Sequence, residues 1–105
     1  MDKMTSEEWQ QVGEAILVWS GWGRSSWPLR NDEPVAKRFG SEIAATLLPL
    51  IRQLEDEFYA SDARHTAADL AEMASISSQQ FAAKYPELPD DAVRALAWCY
   101  TFDYK

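Results

Sequence analysis

Among 105 residues the chain carries one cysteine, Cys99, and one histidine, His65. A single cysteine excludes an intramolecular disulfide and any multi-cysteine metal site. Beside Trp98 and Tyr100, with no basic neighbour or helix start to lower its pKa, Cys99 reads as small apolar filler rather than a nucleophile. One histidine also leaves little for acid–base catalysis, and the serines offer no substitute. Ser20, Ser25 and Ser26 lie near glycines without forming a Gly-x-Ser-x-Gly elbow. Gly21 and Gly23 lack the third glycine, the preceding strand and the phosphate lysine of a nucleotide loop. No catalytic residue and no cofactor-binding residue is expected.

Long apolar runs are missing too. The uncharged stretch from Ile43 to Ile51 contains Thr46 and Pro49 and falls far short of the roughly 20 residues that span a bilayer, so no membrane helix is expected. The segment Met1 to Glu8 has acids where a leader peptide carries a basic region followed by an apolar one, and a cytoplasmic location is the matching expectation. Alternating runs are absent except in the tail from Trp98 to Tyr104, which could form either helix or a short edge strand.

Basic charge is also in short supply, with 10 lysines and arginines against 17 acids and a net charge of −7. The deficit is local. From Glu55 to Asp91 nine acids face only Arg64 and Lys84, whereas from Arg24 to Arg38 four bases face Asp32 and Glu33. Such asymmetry suits a basic protein partner for the acidic half and argues against nucleic acid as a ligand.

What the sequence does have is tryptophan. Trp19, Trp22 and Trp27 fall within nine residues, among glycines and Arg24. Each indole buries about 150–250 Å², so such a segment either folds onto the core or meets a partner.

The apolar spacing is helical throughout. Thr5 and Glu8 form a capping box, and Trp9, Val12, Ile16 and Trp19 then line one face, which predicts a first helix over 6–20. Residues 21–33 read as an ordered Trp-rich loop, long enough to suggest a role, with Asn31 or Asp32 capping the second helix. Val35, Phe39, Ile43, Leu47, Leu50, Ile51, Leu54 and Phe58 define that helix over 33–60, with a kink at Pro49 or a break near Gly40. Leu70, Met73, Ile76 or Ser77, and Phe81 predict a third over 64–84. Pro86 and Pro89 end the next connector, Asp90 and Asp91 are placed to cap, and Val93, Leu96, Ala97 and Tyr100 predict a last helix over 90–102. The expected fold is therefore all-α, a single domain over 1–105 built as a bundle of four to five helices.

Two carboxylate groupings invite a metal reading. His65, Asp69 and Glu72 share one face of a continuous third helix, a geometry that can present an imidazole and two carboxylates to a divalent ion. Glu55, Asp56 and Glu57 are consecutive and point about 100° apart, so they cannot converge on one ion. No metal or other cofactor is expected. The competing reading from another class is a small helical metal-dependent hydrolase using Glu55, His65, Asp69 and Glu72.

In physical type, a small acidic all-α domain with aromatic loops and no catalytic set resembles bacterial immunity proteins, which neutralise a toxin by tight binding. The leading expectation is a non-enzymatic protein-binding domain of that kind, an inhibitor of a basic toxin or effector, with a regulatory or adaptor subunit as a further alternative. The acids Glu55, Asp56, Glu57, Asp62, Asp69 and Glu72 would steer the partner, while Trp22, Arg24 and Trp27 would supply buried contacts.

Overall fold

A computed structural model of the chain describes residues 4–104; the first three residues of the segment read for a leader lie outside it. The elements are α1 (Ser6–Ser20), α2 (Glu33–Phe39), α3 (Ser41–Tyr59), a four-residue turn of helix α4 (Ala63–Thr66), α5 (Leu70–Lys84) and α6 (Asp90–Asp103). No strand occurs among the described residues, and the tail from Trp98 is helical through Asp103. The all-α expectation holds.

Local chemistry sets most helix ends. Thr5 Oγ1 accepts from the Glu8 amide at 3.1 Å while Glu8 accepts from the Thr5 amide at 3.0 Å, so the capping box is made in full. Gly21 closes α1 in the left-handed region at φ 80°. The long apolar face that runs from Val35 to Phe58 is interrupted at Gly40, whose φ of 88° turns α2 into α3 at a position where a side chain would be strained. At Pro49 the helix runs on: both Pro49 and Ala45, the residue four before it, are exposed, so water can meet the carbonyl that proline leaves unpaired.

Two expected features change. The single helix over 64–84 is two, because residues 67–69 leave the helical path and Asp69 caps α5 by accepting from the Glu72 amide at 2.8 Å. Short carboxylates compete for backbone amides in this way, and here the competition starts a new helix. Likewise Asp90 and Asp91 sit in the first turn of α6 and make no side-chain cap; Pro89 occupies the cap position. Asp32 occupies the cap position of α2, and it is Asn31 that accepts from the Glu33 amide, at 3.1 Å.

The core forms around α6, which packs on α1, α3 and α5. Small side chains allow this: Ala92, Ala95, Ala97 and Cys99 are buried together with Val93, Leu96 and Tyr100, so the helix is enclosed on most sides. Against it lie Val12, Ile16 and Trp19 of α1, and Ile51, Leu54 and Phe58 of α3. Phe58 contacts Phe81 at 5.0 Å and Tyr100 at 5.6 Å between ring centroids. The buried Tyr100 hydroxyl donates to the Ser61 carbonyl at 2.9 Å and accepts from the Arg64 amide at 3.0 Å, which ties α6 to the turn after α3. None of the described helices is long and apolar enough to cross a membrane.

Candidate protein-binding cleft

The tryptophan loop divides along its length. Trp19, still on α1, is 3% exposed and belongs to the core. Trp22 is partly buried and meets Trp98 of α6 edge to face at 5.4 Å. Trp27 is 57% exposed and makes no ring contact among the described residues. The loop therefore folds back onto the core at Trp22 and leaves Trp27 exposed.

Two backbone bonds hold the return of this loop, Leu29 N–H to Ser20 C=O and Asn31 N–H to Trp19 C=O, each 2.9 Å. Between them Arg30 adopts φ 51°, a left-handed conformation that costs a non-glycine residue on the order of 1 kcal/mol. The strain is offset by the side chain. Arg30 forms a two-pronged ion pair with Asp103 at the end of α6, at 2.6 and 2.9 Å, and Tyr59 of α3 donates to the same carboxylate at 2.5 Å. The loop, α3 and α6 meet at one carboxylate.

This knot is electrostatically consistent. Burial alone would raise the Asp103 carboxyl, but hydrogen bonds from Arg30 and Tyr59 outweigh it and hold the group below its ordinary range. Burial, then the bond to Asp103, push the Tyr59 hydroxyl upward. Behind the knot the Cys99 thiol is fully buried and pushed up to about 12 by that burial, against the opposing charge of Arg30. Such a thiol is inert. Among the described residues the buried Arg30 Nε has no hydrogen-bond partner, so the guanidinium makes fewer bonds there than it can.

In front of the knot opens a cleft of about 650 Å³, floored by Trp19 and walled by Arg30, Asn31, Asp32, Arg52, Glu55 and Asp56. Arg52 is already bonded to Asp32, as Arg30 is to Asp103. Glu55 and Asp56 have no cation within ion-pair distance among the described residues. Asp56 is exposed and solvated, whereas Glu55 is half-buried, and burial is the main reason its carboxyl is raised above the ordinary value. Of the described acids that lack a hydrogen-bond or ion-pair partner, Glu55 is the one not freely exposed to water.

The other acids expected to share a surface are scattered. Glu57 turns to the opposite side of α3, where Lys84 lies 3.2 Å away and the Tyr85 hydroxyl donates to it. The Tyr85 bond, with Lys84 behind it, lowers the Glu57 carboxyl, while burial and this bond push Tyr85 up to about 12. Asp62 accepts from Gln80 at 3.3 Å. Asp69 and Glu72 are engaged at the start of α5, Glu72 accepting from the Ala68 amide at 3.2 Å. His65 is exposed on α4, a different helix from Glu72, so the shared face expected for His65, Asp69 and Glu72 is not formed. Among the described residues no three His, Cys, Asp or Glu side chains converge where they could hold a metal ion. Arg24 lies away from the cleft, beside Trp22, in a hollow shared with Glu14 and Arg38.

Sequence reasoning missed Arg30, Asp103 and Tyr59 as the residues that position the cleft. The one signal for them was Arg30 itself, a basic residue just before the cap of the next helix. Its partner lies 73 residues away. In comparisons with family models, characterised proteins and solved structures, nothing matches this chain.

Proposed function

We propose that this protein is a non-enzymatic binding domain that receives a basic side chain of a protein partner in the cleft between residues 30–32 and α3. The observation that carries this reading is Glu55, a half-buried carboxylate without a cation, held over an indole floor beside a second free carboxylate, Asp56. Desolvating a carboxylate costs free energy that an incoming lysine or arginine returns as a charge-assisted bond. Trp27, exposed on the same loop, supplies the aromatic contact that protein interfaces favour. A bacterial cytoplasmic inhibitor of the immunity type, blocking a basic toxin, fits this chemistry, and so does an adaptor that holds a basic segment.

The test is titration of the isotope-labelled protein with a short arginine-containing peptide, monitored by amide and indole NMR. Expected are shifts confined to residues 30–32, 52–56 and the Trp19 indole. Glu55→Gln with Asp56→Asn should weaken binding at least tenfold, and Glu7→Gln with Glu87→Gln should leave it unchanged. Shifts spread evenly over every exposed acid, insensitive to the Glu55 and Asp56 substitutions, would refute the cleft as the site.

A further inference from the structure

Trp22 forms a wall common to two hollows on a face distinct from the acidic cleft. On one side lies a largely apolar groove of about 350 Å³ between α5 and α6, lined besides Trp22 by Ala74, Ser75, Ser78, Ala97, Trp98 and Thr101. Arg94, itself paired with Asp90, stands at its edge. On the other lies a hollow of about 230 Å³ lined by Arg24, Arg38 and Glu14. Arg38 is bonded to Glu14, but the Arg24 side chain makes no hydrogen bond or ion pair among the described residues. An apolar slot thus adjoins a site of net positive charge on a protein whose net charge is −7.

We propose that this face docks an acidic peptide segment of a protein partner, one that places a large apolar side chain in the groove and a carboxylate on Arg24. Each half of the surface contributes a separate selectivity. The groove has small residues along both helices, Ala74 and Ser78 on α5 and Ala97 on α6, so it is open to a bulky side chain, and Trp22 edge to face with Trp98 gives its end a rigid aromatic wall. Arg24 is positioned by backbone bonds, its own amide donating to Gly21 C=O at 2.9 Å, so the loop is ordered before a ligand arrives. Its planar guanidinium accepts a carboxylate with two parallel bonds, and an aromatic or aliphatic neighbour one residue away reaches across Trp22. Charge complementarity chooses the occupant. A basic segment is repelled by Arg24 and Arg38 and is left to the Glu55 cleft, so the two sites sort partners by sign.

The experiment is selection of a phage-displayed random peptide pool on the full chain, with the same pool applied to Arg24→Glu, Ser78→Phe and Glu55→Gln variants. The expected peptides combine aspartate or glutamate with an adjacent large apolar residue. Capture should fall at least tenfold on Arg24→Glu and on Ser78→Phe, and should persist on Glu55→Gln. Arg24 is exposed and its side chain is unbonded, so Arg24→Glu leaves the fold intact, and circular dichroism checks both variants. Peptides bound equally by Arg24→Glu or Ser78→Phe, a basic consensus that persists on Glu55→Gln, or no enrichment over Ser78→Phe would overturn the proposal. So would self-association of the chain that Ser78→Phe abolishes, which would assign the groove to a second copy.

Discussion

Replacing Trp22 and Trp27 separately with alanine measures how the loop divides its labour. A fully buried tryptophan lost to alanine costs about 3–5 kcal/mol. Trp22 is partly buried and its edge-to-face contact with Trp98 at 5.4 Å contributes a further 0.5–1.5 kcal/mol or so, which places Trp22→Ala at about 2–3 kcal/mol. In a domain of this size 1 kcal/mol moves the melting midpoint by about 4–8 °C, so a fall of roughly 10–20 °C is expected. Trp27 is 57% exposed and has no aromatic neighbour, and Trp27→Ala belongs with surface substitutions that stay within about 0.5 kcal/mol, or roughly 3 °C. Thermal melting by far-ultraviolet circular dichroism, with urea unfolding to verify equal slopes, reads both. Equal losses from the two substitutions would refute the division of the loop and leave Trp27 as a packed lid, with no free side chain to anchor a partner.

Burial raises the half-buried Glu55 carboxyl, so the folded chain releases this proton at higher pH than the unfolded chain does. Its contribution to stability therefore falls as pH rises from the ordinary glutamate value through the folded one, and Glu55→Gln should raise the melting midpoint at pH 7 but not below about pH 4. A residue that gains stability when neutralised and loses partner affinity at the same time is the signature of a binding group. Asp103 has the opposite sign, because Arg30 and Tyr59 lower it. Asp103→Asn should cost about 1–3 kcal/mol at neutral pH, a difference that shrinks as pH falls through the folded value, and should speed hydrogen exchange at the Leu29 and Asn31 amides. Cys99, fully buried and pushed up to about 12, should resist a thiol-specific disulfide reagent in the native protein at pH 8 and react at once in guanidinium chloride.

What the sequence made legible depended on how local the cause was. Trp9, Val12, Ile16 and Trp19 lie on one turn-by-turn face, and that face is buried as the spacing required. The turn at Gly40 was visible for the same reason. In α6 the stripe of Val93, Leu96 and Tyr100 and the filler role of Cys99 could be read, but the burial of Ala92 and Ala95 could not, since small residues mark no preferred side of a helix. Asp69 and Glu72 group with the partner-steering acids, and serve as ligands only in the competing metal reading, because their spacing would put them on one face of a continuous helix. That spacing also starts a helix, and backbone amides reached the carboxylates first. Adjacency misled at Glu55, Asp56 and Glu57: the advance of about 100° per residue sends the first two to the cleft and the third toward Lys84. The cleft itself depends on Arg30 meeting Asp103, and no window of sequence contains both residues.

That meeting fixes an order of assembly. Residues 30–32 form one wall of the cleft, and the carboxylate that secures them belongs to the last turn of α6. During synthesis α1 and α3 can find one another long before residue 103 leaves the ribosome, yet the wall stays unfastened until then. The wall of the proposed cleft is thus fastened only once α6 has docked, so the cleft takes shape after the contact between α1 and α3 rather than with it.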